Sequence, residues 1–559
     1  MNSTKRPFDW VPTPEIVANS NLTAFIRKTG EADLAALSRR ADADPAWLMQ
    51  PVFEYCDFRV YTPPQQMLDT SRGIEWARWC VGGTTNVVLN CIDRHRGTPV
   101  WEQTFLVWEG EDPKNRRSLS YREFDAEVCR LASALQSLGI GRGDRVGLYL
   151  PNLPETFIAF FAVLKIGAVL MPLFSGFGPQ PLISRLNDGE AKAVLTVDGT
   201  WRRGSPGAMK SVLDEALAEV PSVQHVLVLR HLGQALACPM TPGRDHDWAT
   251  QVAAQPHDIP TAEMEADAPA VLLYTSGTTG KPKGAMHSHH GLVYTVRGYN
   301  TLIARSEADE CMCFLPLCHI AERMGGEYFS LYTGAKLNFV ENPETVPENV
   351  REIAPTVFTA VPRVWEKFYS GVMIALKEAG ALQQAAYAWA IGVGQRVADL
   401  VMAQQPVPGP LKLQFHLARV LVLNNVRKLI GIHKARFLVT GAAPISPELV
   451  RWYMALGVPM LEVWGMTETC GASTGVPAER IKPGSIGPAA SYNDVRLDPQ
   501  TGEILVRGPN VFMGYLNQPE KTAETIDKDG WLHTGDVGVI DEEGFFRITD
   551  RMKDIIITA

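Results

Sequence analysis

The sequence has 559 residues, 46% hydrophobic and 20% charged, the balance of a folded protein long enough to build several packed units. Its formal net charge of -8 argues against a nucleic-acid binder, because phosphate-backbone affinity comes from clustered Lys and Arg, although local basic patches stay open. Nine cysteines without a C-x-x-C pair fit reduced thiols in a cytosolic protein rather than a disulfide framework.

The opening MNSTKRPFDW lacks the apolar core of a signal peptide, and no run of 18 apolar residues follows, so a cytoplasmic protein without a transmembrane segment is expected. Residues 76–95, WARWCVGGTTNVVLNCIDRH, combine a Gly-Gly turn with an apolar, strand-like run and read as part of an ordered extension. From 118 to 186 the texture alternates. YREFDAEVCRLASALQSLGI has helical periodicity, DRVGLYLPN reads as a buried strand, and FIAFFAVLKIGAVLMPL continues the alternation that marks a layered α/β fold.

After the apolar strand APAVLL comes YTSGTTGKPKG, residues 274–284, with three glycines, four Ser or Thr hydroxyls and two lysines. Glycines let backbone N–H groups approach phosphate oxygens, hydroxyls add neutral donors, and Lys281 or Lys283 offsets negative charge. A Walker loop is excluded, because it needs Gly at 275 and Ser or Thr at 282, where Thr275 and Pro282 stand. In CMCFLPLCHI, Cys311, Cys313, Cys318 and His319 raise a zinc reading, but the run is mostly apolar and reads as a strand entering a turn, with buried thiols. A helix-rich stretch over 382–434 is interrupted by QQPVPGP and leads into the strand ARFLVTGAAP. Beyond 484, short β-like runs between Gly, Asp and Pro predict a compact β subdomain.

Several of these segments resemble the adenylate-forming superfamily of acyl-CoA synthetases, nonribosomal adenylation domains and luciferases. YTSGTTGKPKG resembles its phosphate-binding signature, VTGAAPIS its adenine loop, EVWGMTET its aromatic-Gly-x-Thr-Glu motif, WLHTGDVG its ribose-binding aspartate and DRMKD its hinge. The resemblance implies an α/β fold: the large N-terminal domain of that superfamily, with layered α/β subdomains and a small β-barrel-like subdomain. The expected divisions are an N-terminal extension over 1–110, ATP- and acyl-binding subdomains over 111–488, the β subdomain over 489–549, and over 550–559 a hinge that begins a further domain.

The resemblance implies that Thr275, Ser276, Gly277, Thr278, Thr279, Gly280, Lys281 and Lys283 cradle the phosphates of ATP. Gly441, Ala442, Ala443 and Pro444 would meet one face of the adenine, with Trp464, Gly465 and Met466 across from them. Thr467 would contact the α-phosphate, Glu468 would hold Mg²⁺, a hard cation that prefers oxygen ligands, and Asp536 and Arg551 would take the ribose. Thr467, Glu468 and Arg551 form the expected catalytic set, Asp550 and Lys553 the hinge, and His319, Gly441 and Gly465 an acyl and CoA tunnel.

The implied reaction joins a carboxylic acid to ATP as an acyl adenylate and passes the acyl group to coenzyme A, releasing pyrophosphate and then AMP. Residues 76–95 resemble the N-terminal extension of acetyl-CoA synthetases, whereas 314–368 resemble long-chain fatty acyl-CoA synthetases. Gly465 stands where acetate-using relatives carry a Trp that closes the acyl pocket, so a larger acid is expected, whether fatty, aryl or polycyclic. The chain stops at DIIITA, where the superfamily's small C-terminal domain and its catalytic lysine would follow, which predicts a shortened chain with impaired turnover. A ligase loading a carrier protein and a non-catalytic nucleotide- or acyl-binding protein are the alternatives, and the oligomeric state is open.

Overall fold

Runs such as VLMPL at Val169–Leu173 and AVLTV at Ala193–Val197 are buried along their whole length, the pattern of strands covered on both faces. They lie inside an eight-stranded sheet whose first six strands are parallel: Asp245–Asp247, His225–Leu229, Ala193–Val197, Arg145–Tyr149, Val169–Leu173 and Pro269–Thr275. Lys283–Ser288 and the two-residue strand Gly514–Tyr515 extend this sheet antiparallel. The structure, a computed structural model, describes residues 14–552 apart from 19, 56, 72, 74–77, 113, 276–281 and 342.

A second eight-stranded sheet runs Gly471–Gly475, Met460–Met466, Phe437–Thr440, Val357–Ala360, Glu310–Cys313, Lys336–Val340, Thr104–Glu109 and Arg116–Ser120, with parallel pairing throughout its centre. The helix Tyr121–Ser137 starts at a reciprocal cap, in which the Ser120 hydroxyl accepts from the Glu123 N–H and the Glu123 carboxylate accepts from the Ser120 N–H. It packs on Pro154–Lys165, a helix buried on every side except at Glu155. Such an all-round apolar helix is stable only inside a core. Its last residue, Lys165, is enclosed with Asp125 at 3.3 Å and Asp93 at 3.5 Å, which ties the N-terminal segment to the core by charge.

In that N-terminal segment the helices Pro14–Ala18, Asn21–Thr29, Leu34–Ala43 and Pro45–Tyr55 precede the strands Gln66–Asp69 and Arg78–Val81. Trp76 lies outside the described residues. The run VVLNC, expected as strand-like, is instead a short helix, Val87–Cys91. Asn86 accepts from the Val88 N–H as its cap and donates to the carbonyls of Leu164 and Ala262, so tertiary partners override the β preference of the paired valines.

The C-terminal β region forms a four-stranded antiparallel sheet ordered Asp494–Leu497, Glu503–Arg507, Leu532–Ile540 and Phe546–Arg551. A small core of Ala285, Trp464, Ile504, Val506, Phe512, Tyr515, Ile526 and Leu532 joins this sheet to both large ones. The stretch 382–434 forms the helix Ala381–Met402 and a return rod that begins at Gly409. No helix among the described residues is long and apolar enough to cross a membrane.

Candidate active site

Several of the expected site residues follow the carboxyl ends of parallel strands, where α/β sheets open a crevice for ligands. Phe437–Thr440 runs into Gly441, Ala442, Ala443 and Pro444; Met460–Met466 beside it runs into Thr467 and Glu468; and Glu310–Cys313 runs towards His319. Gly441 lies so close to the neighbouring strand that a Cβ there would sit 2.8 Å from the Val463 carbonyl oxygen. Ala442 holds a φ of 65°, and Cys470, just after the Thr467–Thr469 turn, a φ of 57°. Left-handed backbone at non-glycine residues costs on the order of 1 kcal/mol each and clusters where a loop must present groups to a ligand. Ala442, Ala443 and Pro444 are exposed.

Two hydrogen-bonded groups tie distant motifs together. In the first, Asp536 accepts the Trp464 indole N–H at 2.9 Å and pairs with Arg551 Nε at 3.2 Å. Asp536 and Arg551 face each other across adjacent strands, so sheet pairing sets their approach. Arg551 is more than half exposed, leaving its other donors to solvent or a ligand, while the Asp536 side chain is mostly enclosed. Asp550, expected at the hinge, accepts the backbone N–H of Arg551.

In the second group, Glu468 is buried and one carboxylate oxygen accepts the Tyr515 hydroxyl at 2.6 Å. Its other oxygen takes no hydrogen bond among the described residues. Lys283 sets its ammonium 4.5 Å from the centre of the Tyr515 ring, a cation–π contact that joins the strand Lys283–Ser288 to Glu468 through Tyr515. Burial first, then the Glu468 charge, hold the Tyr515 phenol well above its ordinary pKa, so it donates and does not ionise. The sequence reading missed Tyr515. In VFMGYLNQ an aromatic beside a glycine reads as core; only its pairing opposite Ala285 turns the hydroxyl towards Glu468.

Thr275 ends the strand Pro269–Thr275 and pairs with Lys283 across the hairpin. Ser276, Gly277, Thr278, Thr279, Gly280 and Lys281 lie outside the described residues, as does Lys553. Met466 is held by a local turn, its N–H donating to Thr469 Oγ1 and its carbonyl accepting from the same hydroxyl. Thr467 is half-buried at the head of that turn. His319 is exposed at the start of the helix Ile320–Glu322, and the desolvation around it favours its neutral form.

Two expectations change in detail. Trp464 is only 8% exposed and packs in the small core, so most of its ring is a structural wall rather than a free stacking platform. Gly465 sits at a bulge between Met460–Met466 and Gly471–Gly475, where a Cβ would overlap the Gly471 carbonyl oxygen and lie 2.8 Å from Ala472 Cα. The glycine is therefore demanded by backbone packing, and the missing side chain is not simply an opened pocket wall.

Loops at parallel strand ends, a buried glutamate and an aspartate–arginine pair thus come together in an α/β fold of two large, mainly parallel sheets. The model of the AMP-binding enzyme family matches residues 93–516, and that of the acetyl-coenzyme A synthetase N-terminus matches residues 34–91. The chain belongs to the AMP-binding enzyme family, and its relatives place it among the AMP-forming acid–thiol ligases. It is 32% identical over 502 residues to an acetyl-coenzyme A synthetase of Syntrophus aciditrophicus, covering 86% of this chain and 70% of that one. It is 31% identical over 460 residues to the long-chain-fatty-acid–CoA ligase ACSBG2 of Gallus gallus, covering 79% of this chain and 58% of that one. The curated relatives it matches are longer, and of some it spans about half. Among solved structures, acetoacetyl-CoA synthetase from Streptomyces lividans shares the fold at a TM-score of 0.74 and 22% identity, over 97% of this chain and 80% of that one.

Proposed function

We propose that this chain binds ATP and a carboxylic acid larger than acetate, activates the acid as its acyl adenylate, and presents it for transfer to coenzyme A. The observation that carries the reading is the array Trp464–Asp536–Arg551, which assembles three separate sequence motifs beside the carboxyl ends of the strands.

A carboxylate oxygen of the acid attacks the α-phosphorus of ATP, and the bond to the bridging oxygen breaks with its electron pair leaving on pyrophosphate. The thiol of coenzyme A then attacks the acyl carbon, and the carbon–oxygen bond breaks to release AMP. Both steps crowd negative charge, so the work of this chain is positioning and neutralisation rather than covalent catalysis. Asp536 offers acceptor oxygens to the ribose hydroxyls, aligned by Trp464 and Arg551. Arg551 adds an exposed donor, and Thr467 offers its hydroxyl to the α-phosphate.

Glu468 fits a magnesium ligand, because it is a hard oxygen donor whose second oxygen has no partner among the described residues. The ion, bound there with the phosphates, would offset their charge. Tyr515 fixes the other oxygen and so orients the carboxylate.

Support for a larger acid comes from the 314–368 segment and from the likeness to ACSBG2 rather than from Gly465 alone. The test is a panel of acids from acetate to long-chain and polycyclic acids, presented to the protein with ATP, Mg²⁺ and coenzyme A. Thioester from large acids but not acetate supports the proposal. Preference for acetate overturns the substrate class, AMP without thioester points to another acceptor such as a carrier protein, and neither product removes the ligase reading.

A further inference from the structure

Just ahead of the strand that leads into Gly441, the helices Gly409–Ala418 and Asn424–Ile430 join through a π turn, Arg419–Leu423, into one rod. Its inner side, Ala418, Leu423, Val426 and Ile430, is buried. Its outer side carries Leu413 at 62% exposure, Leu417 at 46%, Val420 at 55%, Leu421 at 62% and Leu429 at 44%. A surface helix ordinarily keeps polar residues on that side. Single exposed leucines need no explanation, whereas five along one helical face do.

The neighbouring helix Ala381–Met402 runs back along the rod, with Arg396 donating to Gln414 at 3.3 Å. Trp389 lies seven residues before Arg396 and Leu421 seven after Gln414, each about 10 Å along its helix, which brings the half-exposed indole level with the outer leucines.

Charge separates the possible occupants. Between Asp399 and Glu448 the sequence has no acidic residue, yet it holds Lys412, Arg419, Arg427, Lys428, Lys434 and Arg436 in a chain whose net charge is -8. Arg436 pairs with Asp309 and Arg427 is buried against the His433 carbonyl. The nearby acids Asp399 and Glu352 are taken by Arg451 and Arg116. Lys412, Arg419, Lys428 and Lys434 make no ion pair among the described residues. Burial, followed by Lys434, Lys428 and Arg427, keeps His433 below its ordinary pKa, consistent with uncompensated positive charge at this end of the rod.

We propose that this face lies on an anionic lipid surface, with Leu413, Leu417, Val420 and Leu421 in the boundary between headgroups and acyl chains and the lysines against lipid phosphates. A second copy would set the same cations against each other, and a nucleic acid would leave the leucines without a partner. The inference stands independently of which acid the site activates.

The test is flotation of the full chain with vesicles of phosphatidylcholine alone and of equimolar phosphatidylcholine and phosphatidylglycerol. Binding to the anionic vesicles that salt weakens is expected. Leu417→Asp with Leu421→Asp, both outward-facing, should abolish it with an unchanged circular-dichroism spectrum. Lys412→Gln with Lys428→Gln should weaken it on the order of ten-fold, and it carries the test should the aspartate pair fail to fold. No binding to anionic vesicles, or undiminished binding by either variant, overturns the proposal. So does a parental dimer that the aspartate pair converts to monomer, which gives the face to a second copy.

Discussion

Replacing Gly465 by alanine separates two meanings of that glycine. If the residue only keeps a pocket wall open, a methyl group enters empty space and stability changes by no more than about 0.5 kcal/mol. The structure instead aims the Cβ at the Gly471 carbonyl oxygen and Ala472 Cα, so Gly471–Gly475 must retreat on the order of 1 Å. That movement breaks the pairings Gly465↔Ala472 and Met466↔Gly471. Losing about two backbone hydrogen bonds at about 1 kcal/mol each, with the overpacking strain, gives a destabilisation of roughly 2–4 kcal/mol. Urea unfolding followed by tryptophan fluorescence measures it, because Trp464 adjoins the bulge. An unfolding midpoint equal to that of the parent would refute the backbone argument and return Gly465 to the role of a pocket opening.

Asp536→Asn keeps an acceptor for the Trp464 indole but loses the charge that pairs with Arg551, so AMP affinity measured by calorimetry should fall about ten-fold or more, and unchanged affinity would remove Asp536 from the nucleotide site. Tyr515→Phe leaves buried Glu468 without its donor; it should lower stability by about 1–3 kcal/mol and raise the Mg²⁺ concentration needed for ATP binding, and coincident titrations would make Tyr515 a packing residue only. Burial raises the Glu327 carboxyl to about 8, and neither of its oxygens has a hydrogen-bond partner among the described residues. A raised carboxyl contributes stability that is present below its unfolded value, near 4.5, and is lost as pH rises through 8; Glu327→Gln should therefore flatten the fall in thermal midpoint between about pH 5 and about pH 9, and an identical pH profile would count against a neutral Glu327. Glu322, raised by burial to about 7, leaves a residual slope of the same sign in that variant.

The helix Tyr121–Ser137, the buried strands around 145–173 and the helical stretch near 382–434 were all legible, because burial periodicity and caps are local properties of the chain. VVLNC was not, since Asn86 finds its partners at Leu164 and Ala262, far along the sequence. By itself the sequence determined the family, the layered α/β class and the motifs that supply hydroxyl, carboxylate and cationic groups. The tertiary structure decided that Tyr515 orients Glu468, that Asp536 joins Trp464 to Arg551, that Gly465 answers to a neighbouring strand, and that an apolar, cationic helix face stays uncovered. The physical reason is that hydrogen bonds and close packing form between residues tens to hundreds of positions apart, and strand pairing sets those neighbours where local pattern cannot.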